Sequence, residues 1–206
     1  QKRAYEISAC LVGSEMCIRD SVTTIDDNAF RDCSALQSVT IGDNVTSIGN
    51  YAFSRCSALQ SVTIPDSVTS IGISAFRDNS ALQTVTIGNS VTSIGRNAFD
   101  SCNALQSVTI PNSVKSIGES AFQKCKELYN IENDNYVNTI GNGVTTIGKN
   151  VFAGCKKLQY LTIPDSVTSI GNGAFTNSGL SSMSIPDSVQ TLSLIHISEP
   201  TRQAES

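Results

Sequence analysis

The 206-residue chain has no tryptophan, one histidine, five prolines and only 16% charged residues. Each scarcity removes a class of function. A single imidazole, His196, lies outside the regular part of the sequence described below, so the body of the chain has no Ser-His or Cys-His arrangement for nucleophilic catalysis. The formal net charge of −4 argues against nucleic acid, which is held mainly by basic surfaces that neutralise phosphates. No apolar run approaches the roughly 18 residues that a membrane span needs. The seven cysteines include no Cys-x-x-Cys pair, so neither a zinc site nor a disulfide framework is indicated. Apolar residues make up 39% of the chain. They can form a core only if they are placed very regularly.

They are. Val22, Val45, Val68, Val91 and Val114 lie 23 residues apart, and the series resumes at Val144 and Val167 and closes at Val189. Ile25, Ile48, Ile71, Ile94, Ile117, Ile147 and Ile170 keep step, as do a phenylalanine column from Phe30 to Phe175 and a leucine column from Leu36 to Leu180. Self-similarity at such a period marks a stack of repeats. Within one repeat, Leu36-Gln37-Ser38-Val39-Thr40-Ile41 alternates apolar and polar with period two, the signature of a strand with one buried face. Gly42-Asp43, or Pro65-Asp66 one repeat later, predicts a turn. Gly49, with Asp26 in its place in the first repeat, predicts a sharp bend, since both residue types tolerate positive φ. Ala52, Phe53 and Cys56 then fall at helical spacing and predict one short helical turn. A lone repeat of this size buries too little to offset its ordering entropy, so the layers must complete one another's core.

The Leu-x-x-Val-x-Ile run resembles a leucine-rich repeat strand. The unit Val-Thr-Ser-Ile-Gly-x-x-Ala-Phe-x-x-Cys-x-x-Leu-x-x-Val-Thr-Ile-Pro is similar to the BspA-like (Treponema-type) class of that family, over residues 22–191. The resemblance implies a leucine-rich repeat solenoid of seven repeats, with stacked parallel strands. One position departs from the commonest leucine-rich pattern. Where asparagine is usual, the chain has Asn44 but Ser67, Ser90, Ser113, Ser166 and Ser188, so the usual asparagine ladder is not expected.

Residues 1–21 and 192–206 fit no column. Leu192 to Ile197 is similar to the translated transposon end used in sequencing-library preparation, and Ser198 to Arg202 to the adapter beyond it. Leu11 to Ser21 resembles the reverse complement of the same element, and Gln1 to Ile7 a flow-cell adapter, with Arg3 as the mismatch. Both flanks are therefore expected to be adapter-derived rather than genuine capping segments, and 22–191 to be an internal fragment. On that reading His196, Cys10 and Cys17 carry no function.

The candidate chemistry is sparse. Cys33, Cys56, Cys102, Cys125 and Cys155 share one column, with Asn79 and Ser178 in its other layers; buried thiols filling a small niche are expected, with a Cys33–Cys56 pairing as the alternative. Asp43, Asp66, Asp165 and Asp187 share a turn column with Asn89 and Asn112, which points to turn-making by local hydrogen bonds ahead of a calcium ladder. No catalytic, cofactor-binding or metal-ligating residue is assigned. Asn44-Val45-Thr46 is a glycosylation triplet, meaningful only in a secreted eukaryotic protein.

The outward strand positions form two parallel hydroxyl columns, Ser38/Thr40, Ser61/Thr63, Thr84/Thr86 and Ser107/Thr109, continued by Tyr160/Thr162 and Ser182/Ser184, with Gln37, Gln60, Gln83, Gln106 and Gln159 beside them. These are expected to line the concave face that solenoids use for extended contacts. A solvated face without a ligand and a water-ordering array are the alternatives. Asp32, Arg55 and Asp78 form an inter-repeat charge ladder. The period breaks once, near 129–141, where Tyr129 and Tyr136 mark either a binding loop or a structural variant. The expected partner is a protein or a cell-surface or matrix ligand, with no nucleic acid and no membrane span. The family resemblance implies a displayed or secreted adhesion module. An intracellular scaffold, or the recognition part of a larger enzyme or receptor, is the alternative.

Overall fold

A computed structural model describes residues 15–17, 21–132 and 140–192. The chain winds into about seven stacked layers, each contributing one strand to each of two parallel tracks. Glu15–Cys17, Ser38–Thr40, Ser61–Ile64, Thr84–Ile87, Ser107–Thr109 and Asn130–Glu132 form a six-stranded parallel sheet in that order, and Tyr160–Thr162 pairs with Ser182–Ser184 in a separate two-stranded sheet. On the second track, eight two-residue strands from Thr24–Ile25 to Thr191–Leu192 form one continuous parallel sheet. The register is one repeat per strand, as in Val62↔Val85↔Val108 and Ile48↔Ile71↔Ile94. Two strands touch the flanks. Glu15–Cys17 pairs with Ser38–Thr40, and Leu192 with Ile170. Pairing of this kind asks only for an extended backbone beside an open ladder edge.

The periodic apolar columns meet inside. Phe53, Phe76, Phe99, Phe122, Phe152 and Phe175 are all fully buried. With Phe30 they form a stack of parallel rings, centroids 4.9–5.9 Å apart and planes within 8°. The cysteine column beside them has a hydrogen-bonding role. Cys56, Cys102, Cys125 and Cys155 each donate from Sγ to a phenylalanine carbonyl (Phe30, Phe76, Phe99 and Phe122) at 3.1–3.2 Å, and Asn79 Nδ2 donates to the Phe53 carbonyl at 3.1 Å. The column therefore selects a small donor. Ser178, with its shorter hydroxyl, finds no partner. The alternative pairing of Cys33 with Cys56 does not occur: Cys33 is disulfide-bonded, and the other four thiols of the column are free.

The helical turn expected around Ala52, Phe53 and Cys56 is a series of hydrogen-bonded turns, and no helix occurs among the described residues. The amides of Tyr51, Phe53 and Arg55 donate to Ile73, Ala75 and Arg77 of the next layer at 2.7–2.8 Å. They are therefore unavailable to a helix within the layer. Tyr51 and Arg55 also adopt φ of 56° and 62°, which ends any right-handed run. The same two positions are left-handed in every layer from Asn28/Asp32 to Gly173/Asn177.

The bend assigned to Gly49 is thus placed elsewhere. Glycine is required there by close approach, since a Cβ would stand 2.6 Å from the Asp27 amide nitrogen, and one on Gly72 would stand 2.6 Å from the Gly49 carbonyl carbon. Asp26 occupies this column in the layer that ends its sheet. At the serine column, the hydroxyls of Ser166 and Ser188 donate to the carbonyls of Val144 and Val167 at 2.7 and 2.8 Å.

Candidate binding face

Alternation fixes which side chains leave the core. Along Ser61–Ile64 and Thr84–Ile87 the pattern is exposed, buried, exposed, buried, so Val62 and Ile64 point inward while Ser61 and Thr63 point to solvent. Parallel register aligns the outward residues into columns: Ser38↔Ser61↔Thr84↔Ser107, and Thr63↔Thr86↔Thr109. Thr40, Ser61, Thr63, Thr84 and Thr86 are exposed, and Ser38, Ser107 and Thr109 half-buried. Strands in such a sheet lie ~4.8 Å apart, so one hydroxyl recurs at that interval along each column. The sheet brings these eight residues together, and its last strand registers Asn130 with Ser107 and Glu132 with Thr109.

Tyr160 and Thr162 stand on the separate two-stranded sheet. Both are exposed, and the face is divided at the break in period. Tyr129 lies in the glutamine column instead of on a loop: its amide donates to the Gln106 carbonyl, as Gln106 does to Gln83 and Gln83 to Gln60. Tyr136 falls outside the described residues.

Where the threonine column meets the turns, Thr63, Thr86 and Thr109 line an open groove of about 610 Å³ together with Asp43, Asp66 and Asn89. The turn Asp and Asn side chains act between layers. Asp66 Oδ1 accepts from the Asn89 amide at 2.7 Å, and Asn112 Oδ1 from the Asn142 amide at 2.7 Å. A second such ladder, Asp27 to Asn50 to Ile73, runs at 2.6 and 2.8 Å on the opposite turn. The Thr46, Thr69, Thr92, Thr145 and Thr168 hydroxyls each donate to the carbonyl one layer back at 3.0–3.2 Å. Sequence reasoning missed that column, although its 23-residue recurrence was visible. It is a structural ladder, unlike the outward Thr63 column.

The remaining groups have little reactivity. Burial pushes the Cys56 and Cys155 thiols up to about 12 and raises those of Cys102 and Cys125 as well, which disfavours the thiolate that nucleophilic chemistry needs. Among the described residues no group of three His, Cys, Asp or Glu side chains is placed to hold a metal ion, and no helix is long and apolar enough to cross a membrane. The charge ladder is present on the turn edge: Arg55 lies 3.6 Å from Asp32 and 3.8 Å from Asp78. It extends to Arg77, which reaches the buried Asp100 at 3.2 Å. Arg31 also lies over the Tyr51 ring, 5.3 Å from its centroid.

The family model of the BspA-type leucine-rich repeat region matches residues 4–129 and 135–195 in six copies. The chain belongs to that family. Several solved solenoids share its architecture. A leucine-rich repeat protein of Eubacterium ventriosum is 28% identical with a TM-score of 0.76, over 83% of this chain and 44% of that one. A leucine-rich cell surface protein of Faecalibacterium prausnitzii is 33% identical with a TM-score of 0.66, over 87% and 43%. The leucine-rich repeat protein of T. pallidum is 28% identical with a TM-score of 0.71, over 80% and 76%. This chain thus spans less than half the length of the first two. No curated protein matches it.

Proposed function

We propose that this BspA-type array is a non-enzymatic protein-binding module of a surface-associated bacterial protein, and that it attaches through the outward hydroxyl columns of the six-stranded sheet. The observation that carries this reading is the registered run of exposed Thr63 and Thr86, with half-buried Thr109 beside them, bordering an open groove. Strand registration holds the three threonines in line, so a partner meets a preformed surface and loses little in ordering it. Hydroxyls and glutamine amides on this face both donate and accept, which suits an extended polypeptide or matrix ligand. The Faecalibacterium relative, described as a cell surface protein, supports the surface location.

The test replaces Thr63, Thr86 and Thr109 together by lysine. These side chains point away from the core, so the thermal melt is expected to move by only a few degrees. Adhesion of the purified array to matrix-coated wells and to epithelial monolayers is expected to fall to background. Unchanged adhesion in a folded variant moves the site off this face.

A further inference from the structure

Charge is distributed unevenly over the layers. Between residues 21 and 114 every cation is an arginine, and each has a carboxylate at 3.2–3.8 Å. Between 115 and 157 every cation is a lysine, and of the six only Lys157 has an acidic partner, Glu127, among the described residues. Three of the others gather at one corner. Lys126 and Lys156 are exposed, in one column and in consecutive layers, where the Lys157 amide donates to the Lys126 carbonyl at 3.3 Å. In earlier layers that column holds Ser34, Ser57, Ser80 and Asn103. Lys124 lies over Gly154, its Cγ 3.7 Å from where a Cβ on that glycine would stand. Like charges stacked a layer apart repel, and an anion lying across both layers relieves the repulsion.

A second observation falls at the same place. Tyr129 and Tyr160, the two most exposed large hydrophobic side chains among the described residues at 52% and 57%, follow Lys126 and Lys156 by three and four residues. At ~3.3 Å per extended residue, the Cα atom of each tyrosine lies within ~13 Å of that of its lysine. A phenol ring offers a flat face to the C–H side of a sugar, and an ammonium beside it offers a point charge to a sulfate or carboxylate. We propose that this corner binds an acidic, sulfated polysaccharide, with Lys126 and Lys156 holding its anionic groups and Tyr129 and Tyr160 lying against its rings. The lysines stand outside the hydroxyl columns, so the site goes beyond the strand-face reading and does not depend on it. The acidic layers before residue 115 repel any long polyanion, so the two lysines take only a short charged segment, and comparison with a nucleotide oligomer separates the two ligand classes.

The test is calorimetric titration of the full chain with a heparin dodecasaccharide at 50 and 300 mM NaCl, with a twelve-nucleotide thymidine oligomer as comparison. Heparin is expected to bind about five-fold more weakly at the higher salt. K126Q/K156Q is expected to lose at least ten-fold in affinity, and Y129A/Y160A at least three-fold, with thermal melts unchanged. R55Q/R96Q, which removes two charges from the paired side, is expected to stay within two-fold. Absence of heparin binding, tighter binding of the thymidine oligomer, unchanged affinity in the lysine variant, or an equal loss in the arginine variant would each overturn the proposal.

Discussion

Phe76→Ala removes a ring that is fully buried and lies between Phe53 at 5.1 Å and Phe99 at 5.3 Å, with planes within 6°. Truncating a buried phenylalanine costs ~3–5 kcal/mol, and each aromatic pair contributes ~0.5–1.5 kcal/mol beyond its area. With two such pairs lost, the upper part of that range is expected, ~4–5 kcal/mol. Phe175 provides an internal comparison, since it is equally buried but stacks on Phe152 alone, at 5.9 Å. Phe175→Ala is therefore expected to cost ~1 kcal/mol less than Phe76→Ala, by the one pair it lacks. Urea unfolding followed by circular dichroism gives both losses. It also reports on cooperativity, because a gap in the middle of an array weakens nearest-neighbour coupling and lowers the m-value. A loss below ~2 kcal/mol for Phe76→Ala, or a larger loss at Phe175, would refute the ring stack as the spine of the array.

Two further outcomes follow from the geometry. Gly72→Ala would place a Cβ 2.6 Å from the Gly49 carbonyl carbon; because the obstacle is backbone, the layers must part, and a loss of ~1–3 kcal/mol is expected in urea unfolding. A loss within experimental error would mean that the layers can slide to admit the methyl group. The four free thiols are expected to resist a disulfide reagent at pH 8 until the chain is unfolded. Because the Cys56 and Cys155 pKa values are raised from 9.0 to about 12, the folded form keeps protons that the unfolded form releases. Stability is therefore unaffected by these thiols below pH 9 and falls as pH rises from 9 to 12, by at most ~1.4 kcal/mol per pH unit for each. Melting temperature against pH, compared with C56S/C155S, checks this; identical alkaline slopes would contradict it.

The parallel solenoid and its core were legible because both depend on recurrence. Val62, Ile64 and Phe76 had to be inward once the period was found, and Thr63, Thr86 and Thr109 had to be outward. The turn was misread as helical because Ala52, Phe53 and Cys56 fit a 3.6-residue spacing, and periodicity does not show which layer an amide bonds to. The left-handed columns were legible only in part: Asn28, Asn97, Asn150 and Gly173 are types that tolerate positive φ, but other layers give no such signal. Tyr51, Arg55 and Lys124 have no propensity for positive φ and are held there by bonds to the following layer. The glycine signal was real, but it marked clearance between layers. The lysine corner was missed because each lysine alone looks like ordinary solvated surface, and only the registered stacking of Lys126 with Lys156 joins them.

The turn edge has an electrical consequence. Eighteen backbone amides there, beginning with Asn28, Phe30 and Asp32 and ending with Asn150, Phe152 and Gly154, all point their N–H toward the following layer. Each peptide group carries a dipole of ~3.5 D, and along this edge the dipoles add head to tail, as they do in a helix but with each link drawn from a different turn of the chain. The positive pole lies toward the last layers. Side-chain charge does not simply follow it: four arginines stand against seven aspartates between residues 21 and 114, six lysines against four acidic residues between 115 and 157, and Asp165 and Asp187 without a cation between 158 and 191. Interlayer amides of the strand tracks, such as those of Thr46, Gly49 and Gln60, point their N–H the other way, so this dipole is local to the turn edge, and it is the lysine side chains of residues 115–157 that turn those layers toward an anionic surface before any contact is made.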